Sequence, residues 1–168
     1  MMVKLSMIVL DVDGTLTDGK ITYGTGEAEL KSFNIKDGLV IKAMQVIDLP
    51  VILLTGRKSD AVSRRGAELG CIVFDNVSDK VTVLKEICAN RDIMLSEVLY
   101  IGDDLNDYAA MRLCGLRGCP SDAVEEICKI SNFVSSKNGG DGAVREITEH
   151  YLRHADLWCT VLEHYNII

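Results

Sequence analysis

Residues 7–15 read Met7-Ile8-Val9-Leu10-Asp11-Val12-Asp13-Gly14-Thr15. Four apolar residues in succession suit a strand buried on both faces, as in the interior of a parallel sheet. The strand runs into an acid, and a second acid follows two residues later. Side chains two apart on extended backbone point the same way, so both carboxylates can face one site. Gly14 then lets the backbone turn away and approach a ligand closely. One such carboxylate can attack phosphorus and carry it as an aspartyl phosphate. The other, when protonated, can donate to the leaving oxygen and then activate water. The competing reading is a capped strand end with two solvated acids.

Outward from this strand the apolar pattern keeps alternating between short runs and helical spacings. Lys20–Tyr23 and Glu29–Phe33 flank Gly24-Thr25-Gly26 and predict a hairpin with a glycine turn. Apolar residues at 40, 43, 44 and 47 predict a helix over Gly38–Asp48. Val51–Leu54 is the next strand, and Ser59 and Gly70 bracket the helix after it. Cys71–Phe74 is expected as a third buried strand, and Ser78 as the cap of a helix bearing Val81, Leu84 and Cys88. Val98–Ile101 is a fourth strand, and a helix over Leu105–Cys114 stops before Gly115. Leu116–Cys119, Ala123–Lys129 and Phe133–Ser135 form a strand, helix, strand series. After the loop Gly139–Gly142 a final helix is expected from Ala143 to Tyr165. This alternation predicts an α/β fold, a doubly wound parallel sheet between two helix layers, with a hairpin insertion and no cap domain. Neither a repeat nor a linker interrupts it, so residues 1–168 are expected to form a single domain.

Ligands of such sheets bind beyond the carboxyl ends of the strands, where the polar clusters fall. Gly102-Asp103-Asp104-Leu105-Asn106-Asp107 packs three carboxylates and an amide into five residues past a buried strand. At ~4 Å and an effective dielectric near 20, each like-charged pair costs about 4 kcal/mol. A divalent cation reverses that sign, and Mg²⁺ suits an all-oxygen ligand set. A helix cap with favourable first-turn acids explains one or two of these residues but not all. Thr55-Gly56, following the second strand, offers a hydroxyl and a backbone N–H to a phosphate oxygen. Lys80 sits in a helix's first turn, where a cation opposes the helix dipole. Its use lies in the charge balance of a site that must admit a phosphate dianion.

Bulk properties narrow the remaining classes. With 48% apolar residues the chain can bury a core, and its apolar runs are too short for membrane spans, so no membrane partner is expected. A net charge of −7 argues against a nucleic-acid partner. Met1–Leu10 lacks a secretory leader's features, and a cytoplasmic location is expected. The six cysteines, at 71, 88, 114, 119, 128 and 159, form no C-x-x-C pair and are expected as reduced, small apolar residues. His150 and His154 lie four apart on a helix, but no third zinc ligand accompanies them. Trp158 is expected to pack rather than to bind a cofactor.

Taken together the motifs resemble the haloacid dehalogenase superfamily of phosphatases. Asp11-Val12-Asp13-Gly14-Thr15 matches its first motif, Thr55 its second, Lys80 its third, and Gly102-Asp103-Asp104 with Asp107 its fourth. The resemblance implies that Asp11 is the nucleophile and Asp13 the acid/base. It implies that Thr55 and Lys80 bind phosphate, and that Asp11, the backbone carbonyl of Asp13 and Asp103 hold Mg²⁺. Asp104 and Asp107 would support the metal, and Asn106 would contact the phosphate side.

A narrower resemblance spans almost the whole chain. Thr17-Asp18-Gly19, Phe33-Asn34 with Lys36-Asp37-Gly38, Thr55-Gly56-Arg57-Lys58-Ser59, Ser78-Asp79-Lys80, and Gly139-Gly140 with Gly142-Ala143-Val144-Arg145-Glu146 resemble the capless 3-deoxy-D-manno-octulosonate 8-phosphate phosphatases. That family implies a phosphorylated sugar-acid substrate and a homotetramer whose hairpins associate, so that neighbouring subunits complete each site. Relatives acting on nine-carbon sugar-acid 9-phosphates carry an acid where this chain has Arg57, which favours the eight-carbon substrate. Arg57 can make a forked contact to a carboxylate or to hydroxyls, and Arg65 and Arg64 are further candidates. The family pattern would bring Arg145 to a neighbour's site, although residues 147–168 exceed the usual short tail. Two readings of another class compete: a phospho-accepting receiver module, which places its acid pair and its acceptor in the reverse order, and a non-catalytic regulatory module.

Overall fold

The computed structural model describes residues 4–25 and 29–168. Met1–Val3, and Gly26 of the expected hairpin turn, lie outside the described residues. The centre is a six-stranded, all-parallel sheet of β1 (Met7–Leu10), β4 (Val51–Leu54), β5 (Ile72–Phe74), β6 (Val98–Ile101), β7 (Leu116–Cys119) and β8 (Phe133–Val134), in the order β5-β4-β1-β6-β7-β8. Between β1 and β4, β2 (Thr22–Tyr23) and β3 (Glu29–Leu30) form a separate antiparallel hairpin. Its strands are shorter than the sequence predicts, with two residues each.

Alternation along the strands sends side chains to two cores. Ile8, Leu10, Leu53, Leu99 and Ile101 pack against α1 (Ile35–Ala43), α2 (Asp60–Leu69), α6 (Ala143–His154) and α7 (Trp158–His164). Met7, Val9, Ile52, Leu54 and Val98 pack against α3 (Lys80–Asn90), α4 (Leu105–Met111) and α5 (Glu125–Ile130). The three-layer α/β architecture is as predicted, and no cap domain interrupts it. Among the described residues, no helix is long and apolar enough to cross a membrane.

Several local expectations need correction. α1 begins earlier than its apolar spacing suggests, because the Asn34 side chain accepts from the Lys36 N–H, and its last turn tightens into a 3₁₀ turn over Met44–Ile47. α3 is capped by Asp79, not Ser78: the Asp79 carboxylate accepts from the Thr82 N–H. β5 is an edge strand rather than a buried one, and Ile72 is exposed. The last helix is two helices, broken where Asp156 turns left-handed at φ 57°. All six cysteines are free thiols, and Cys159 is exposed.

Candidate active site

The strand order turns on β1. The chain leaves it first toward β4 and β5, then returns to its other side for β6, β7 and β8. A crevice opens at such a switch point, beyond the carboxyl ends of the strands. Leu10 lies opposite Leu53 and Ile101, so Asp11, Thr55 and Asp103 emerge side by side. Asp11, Asp13, Thr55, Gly56, Arg57, Asp103, Asp104 and Asn106, together with Gly19 and Ile21, line a cleft of about 290 Å³. A larger depression of about 500 Å³ lies beside α6, but two of its three acids, Glu146 and Glu149, are already paired with Ser135, Ser136, Arg145 and Arg153, and only the exposed Asp141 is left. Chemistry selects the smaller cleft.

Glycine fixes how closely the first loop approaches the fourth motif. Gly14 has φ 94°, and a Cβ there would sit 2.0 Å from Asp103 Oδ2. Only glycine satisfies both conditions.

Beneath the cleft floor, Lys80 ties two carboxylates together. Its Nζ donates to Asp11 Oδ1 at 2.5 Å and to Asp107 Oδ1 at 2.7 Å, and Lys80 and Asp11 are only 5% and 3% exposed. Asp107 is fully committed, since Oδ1 also accepts from Tyr100 Oη at 2.8 Å and Oδ2 from the Asp103 N–H at 3.3 Å. Burial pushes the Lys80 ammonium toward neutrality, but Asp11 and Asp107 reverse this and leave its pKa raised. Burial, reinforced by Asp107, raises the Asp11 pKa well above the usual carboxylate range even though Lys80 opposes it. Burial and Asp107 likewise push Asp103 up to about 7, against the hydrogen bond it accepts from Thr15 Oγ1.

These are the features of a cation site. Carboxylate oxygens of Asp11, Asp103 and Asp107 all lie within 4.8 Å of one another. One lysine does not balance three crowded acids, two of them buried, so Asp11 and Asp103 are driven toward protonation, and a hard dication would relieve that repulsion. Asp107 has its oxygens engaged, which leaves Asp11 and Asp103 as the available donors. The Asp13 carbonyl accepts no hydrogen bond among the described residues and can join them. A magnesium ion fits this donor set.

The other expected residues separate by position. Asp104 caps α4, its Oδ1 accepting from the Leu105 N–H at 2.7 Å, and Asn106 stands exposed in the helix's first turn. Thr55 is buried, and its Oγ1 accepts from the Arg57 N–H at 3.3 Å. Arg57 reaches over the cleft to Glu29 Oε2 at 2.7 Å. Arg65 and Arg64 do not line the cleft: with Phe33 and Glu68 they edge a separate depression behind the hairpin. Arg145 pairs with Glu149 and lies over the buried Trp158 ring. His150 stacks on Phe133, not toward a metal cluster.

Two contacts escape the sequence motifs. Tyr100 hides inside an apolar strand. Lys31, from the hairpin, pairs with Asp13 and with Glu29 Oε1 at 2.9 Å, its side chain wholly covered. The available signal was Glu29-x-Lys31, since alternate residues of one strand share a face.

Comparison with known proteins supplies the context. A family model described as haloacid dehalogenase-like hydrolase matches residues 67–147. The 3-deoxy-D-manno-octulosonate 8-phosphate phosphatase of Escherichia coli is 36% identical over 147 residues, 87% of this chain and 78% of that protein. The enzyme of the same name from Yersinia pestis is 34% identical over 154 residues, 91% of this chain and 82% of its own. The crystal structure of the enzyme from Moraxella catarrhalis, in complex with magnesium, phosphate and KDO, superposes with a TM-score of 0.91 at 34% identity, covering 96% of this chain and 93% of that one.

Proposed function

The chain belongs to the haloacid dehalogenase superfamily and, within it, to the capless 3-deoxy-D-manno-octulosonate 8-phosphate phosphatases, and from that membership we propose that it is a magnesium-dependent phosphatase whose substrate is 3-deoxy-D-manno-octulosonate 8-phosphate. Asp11 is the nucleophile. It attacks phosphorus in line, the bond from phosphorus to the sugar oxygen breaks, and phosphate is carried as an aspartyl ester. Asp13 gives its proton to the departing sugar oxygen. It then takes a proton from the water that attacks the aspartyl phosphate, which frees inorganic phosphate and restores Asp11. The Thr55 hydroxyl, the Gly56 N–H, Asn106 and Lys80 bind the non-bridging oxygens. Magnesium, held by Asp11, the Asp13 carbonyl and Asp103, supplies fixed positive charge against the phosphoryl group. Asp104 and Asp107 support this set, Asp107 by holding Lys80 from behind.

The observation that carries this reading is the Lys80 ammonium bridging Asp11 and Asp107 at 2.5 and 2.7 Å. It fixes Asp11 at the sheet's switch point with one face turned to the cleft. Arg57 supports a sugar-acid substrate, because it stands at the rim and already grips a carboxylate. Arg57 stands where relatives acting on nine-carbon sugar acids carry an acid, which favours eight carbons over nine. Homotetramer assembly in the cytoplasm completes the reading. Ile21, Tyr23, Leu30, Ile35 and Leu39 all expose apolar surface on and just after the hairpin, Tyr23 to 74%.

Phosphate release from eight- and nine-carbon keto-sugar acid phosphates, measured with Mg²⁺, tests the assignment. The eight-carbon ester is expected to show the highest kcat/KM. A preference for a nine-carbon ester would overturn the substrate, and single rather than multiple turnover would overturn the enzyme in favour of a phospho-accepting module.

A further inference from the structure

Each carboxylate of the Asp11–Asp13 pair has its own lysine, and the two lysines come from different parts of the fold. Lys80, at the start of α3, holds Asp11. Lys31, just after β3, holds Asp13. Among the described residues no other side chain hydrogen-bonds to the Asp13 carboxylate. A carboxylate on a glycine turn is otherwise free to rotate about two side-chain bonds, and a proton carrier acts only when aimed at the oxygen it serves. Lys31 is itself held. Its side chain is covered, Glu29 from the same face of the hairpin takes a second contact at 2.9 Å, and Arg57 from the loop after β4 grips Glu29 at 2.7 Å. A line of alternating charge, Asp13, Lys31, Glu29, Arg57, thus fastens the hairpin across the cleft.

We propose that Lys31 is a positioning residue that aims Asp13 at the leaving-group oxygen, so that the hairpin is a working part of the active site of its own subunit. This rests on Asp13 being the proton carrier of the reaction proposed above. In the reaction proposed above, Lys31 thus serves the group that protonates the leaving oxygen, and Lys80 serves the nucleophile. Removing Lys31 therefore weakens departure of the alcohol, while capture of phosphorus by Asp11 keeps its own lysine.

The leaving group separates this role from mere support. A sugar or other alkyl oxygen needs Asp13's proton as it departs, whereas p-nitrophenolate leaves largely unaided. Because kcat/KM reports only steps through loss of the leaving group, it isolates this half of the reaction. Lys31→Met is expected to lower kcat/KM for the alkyl ester on the order of 10- to 100-fold, and for p-nitrophenyl phosphate several-fold less. Lys31→Arg should recover most of the difference. Equal losses on both esters, or no loss on the alkyl ester, would overturn the proposal. If Lys31→Met proves unstable by thermal unfolding, Lys31→Gln, which keeps a hydrogen-bond donor but no charge, takes its place, and an alkyl-to-aryl ratio unchanged from the wild type overturns the proposal. Asp13→Asn provides the separate control. If it too shows no dependence on the leaving group, the role of Asp13 itself is wrong, and the fault lies upstream of Lys31.

Discussion

The sheet rim and the hairpin each hold one carboxylate of the Asp11–Asp13 pair, and they do so by opposite means. At the rim, Asp11 sits on a central strand paired on both sides, and Lys80 reaches it through the interior. On the hairpin side, Asp13 lies in a turn, and its partner is borne by a ribbon with strands of two residues each. The rim is set by the packing of the whole sheet. The hairpin is set by a few ion pairs and by whatever its apolar outer face meets. In the proposed mechanism, fixed geometry thus falls to the atom that makes a covalent bond, and the adjustable mount to the group that only moves a proton.

That contrast can be broken first at Asp11. Asp11→Asn keeps the size and deletes the proposed nucleophile, so steady-state phosphatase activity is expected to fall on the order of 10⁴-fold or more. The change also removes one of the repelling buried acids, so the variant should unfold no earlier than the wild type. Wild-type turnover of an aryl phosphate by this variant would end the assigned mechanism. Next in size is Lys80→Met, which leaves Asp11 and Asp107 buried without their shared cation. Breaking a buried pair in this way costs about 3–5 kcal/mol, or roughly 10 °C in Tm for a chain of this size. Lys31→Met leaves behind carboxylates that keep contact with water, Asp13 at 22% and Glu29 at 17% exposed, and should cost well under half as much. Comparable losses of Tm would erase the distinction between the two regions.

The same contrast explains what the sequence disclosed. Rim residues follow continuous apolar runs, Met7–Leu10, Val51–Leu54 and Val98–Ile101, whose interior character is unmistakable and whose register aligns Asp11, Thr55 and Asp103. Strand order and the Lys80 contact then follow from packing a helix behind the sheet. Lys31 was not legible, because a two-residue strand carries almost no periodicity and its partner lies in a different motif. Tyr100 was hidden for the opposite reason, an aromatic among apolar neighbours whose hydroxyl only tertiary structure aims at Asp107. The break at Asp156 and the edge position of β5 also depend on neighbours that local spacing does not encode. Arg65 looked available on its helix face, yet it turns toward Phe33 and Glu68 behind the hairpin.

A smaller effect sharpens the electrostatics of the rim. Burial raises the Asp103 pKa to about 7 in the folded, metal-free chain, and Asp11 is raised as well. An acid whose pKa rises on folding favours the native state below its unfolded value of 3.8 and loses that advantage as pH rises toward 7. Metal-free protein is thus handicapped at neutral and higher pH by charges that Mg²⁺ would balance. The rise in Tm on adding Mg²⁺ should be larger at pH 8 than at pH 5.5, and an ion at a hundred times its Kd stabilises the fold by about 2.7 kcal/mol. Differential scanning with and without chelator measures it. An Mg²⁺ effect that is flat across this range would place the ion away from Asp103.

The smallest effect on stability belongs to Arg57, at the far end of the hairpin's chain of charges. Its guanidinium is nearly half exposed, so its pair with Glu29 contributes no more than about 1 kcal/mol to folding. Arg57→Ala should therefore leave Tm almost unchanged. Its consequence is for binding, because a substrate carboxylate arriving at the rim meets the one arginine that, among the described residues, lines the cleft. Loss of a charge-assisted contact worth about 1.5–3 kcal/mol predicts a KM for the sugar-acid phosphate raised roughly 10- to 100-fold. p-Nitrophenyl phosphate has no carboxylate, and its KM should hardly move. Arg57 also braces Glu29, however, and a slackened hairpin would reach Asp13 through Lys31. That indirect route lowers kcat for the sugar acid, whereas lost recognition raises KM alone. A change confined to KM assigns Arg57 to recognition, and a fall in kcat shows that the hairpin transmits its state across all four charges to the proton carrier.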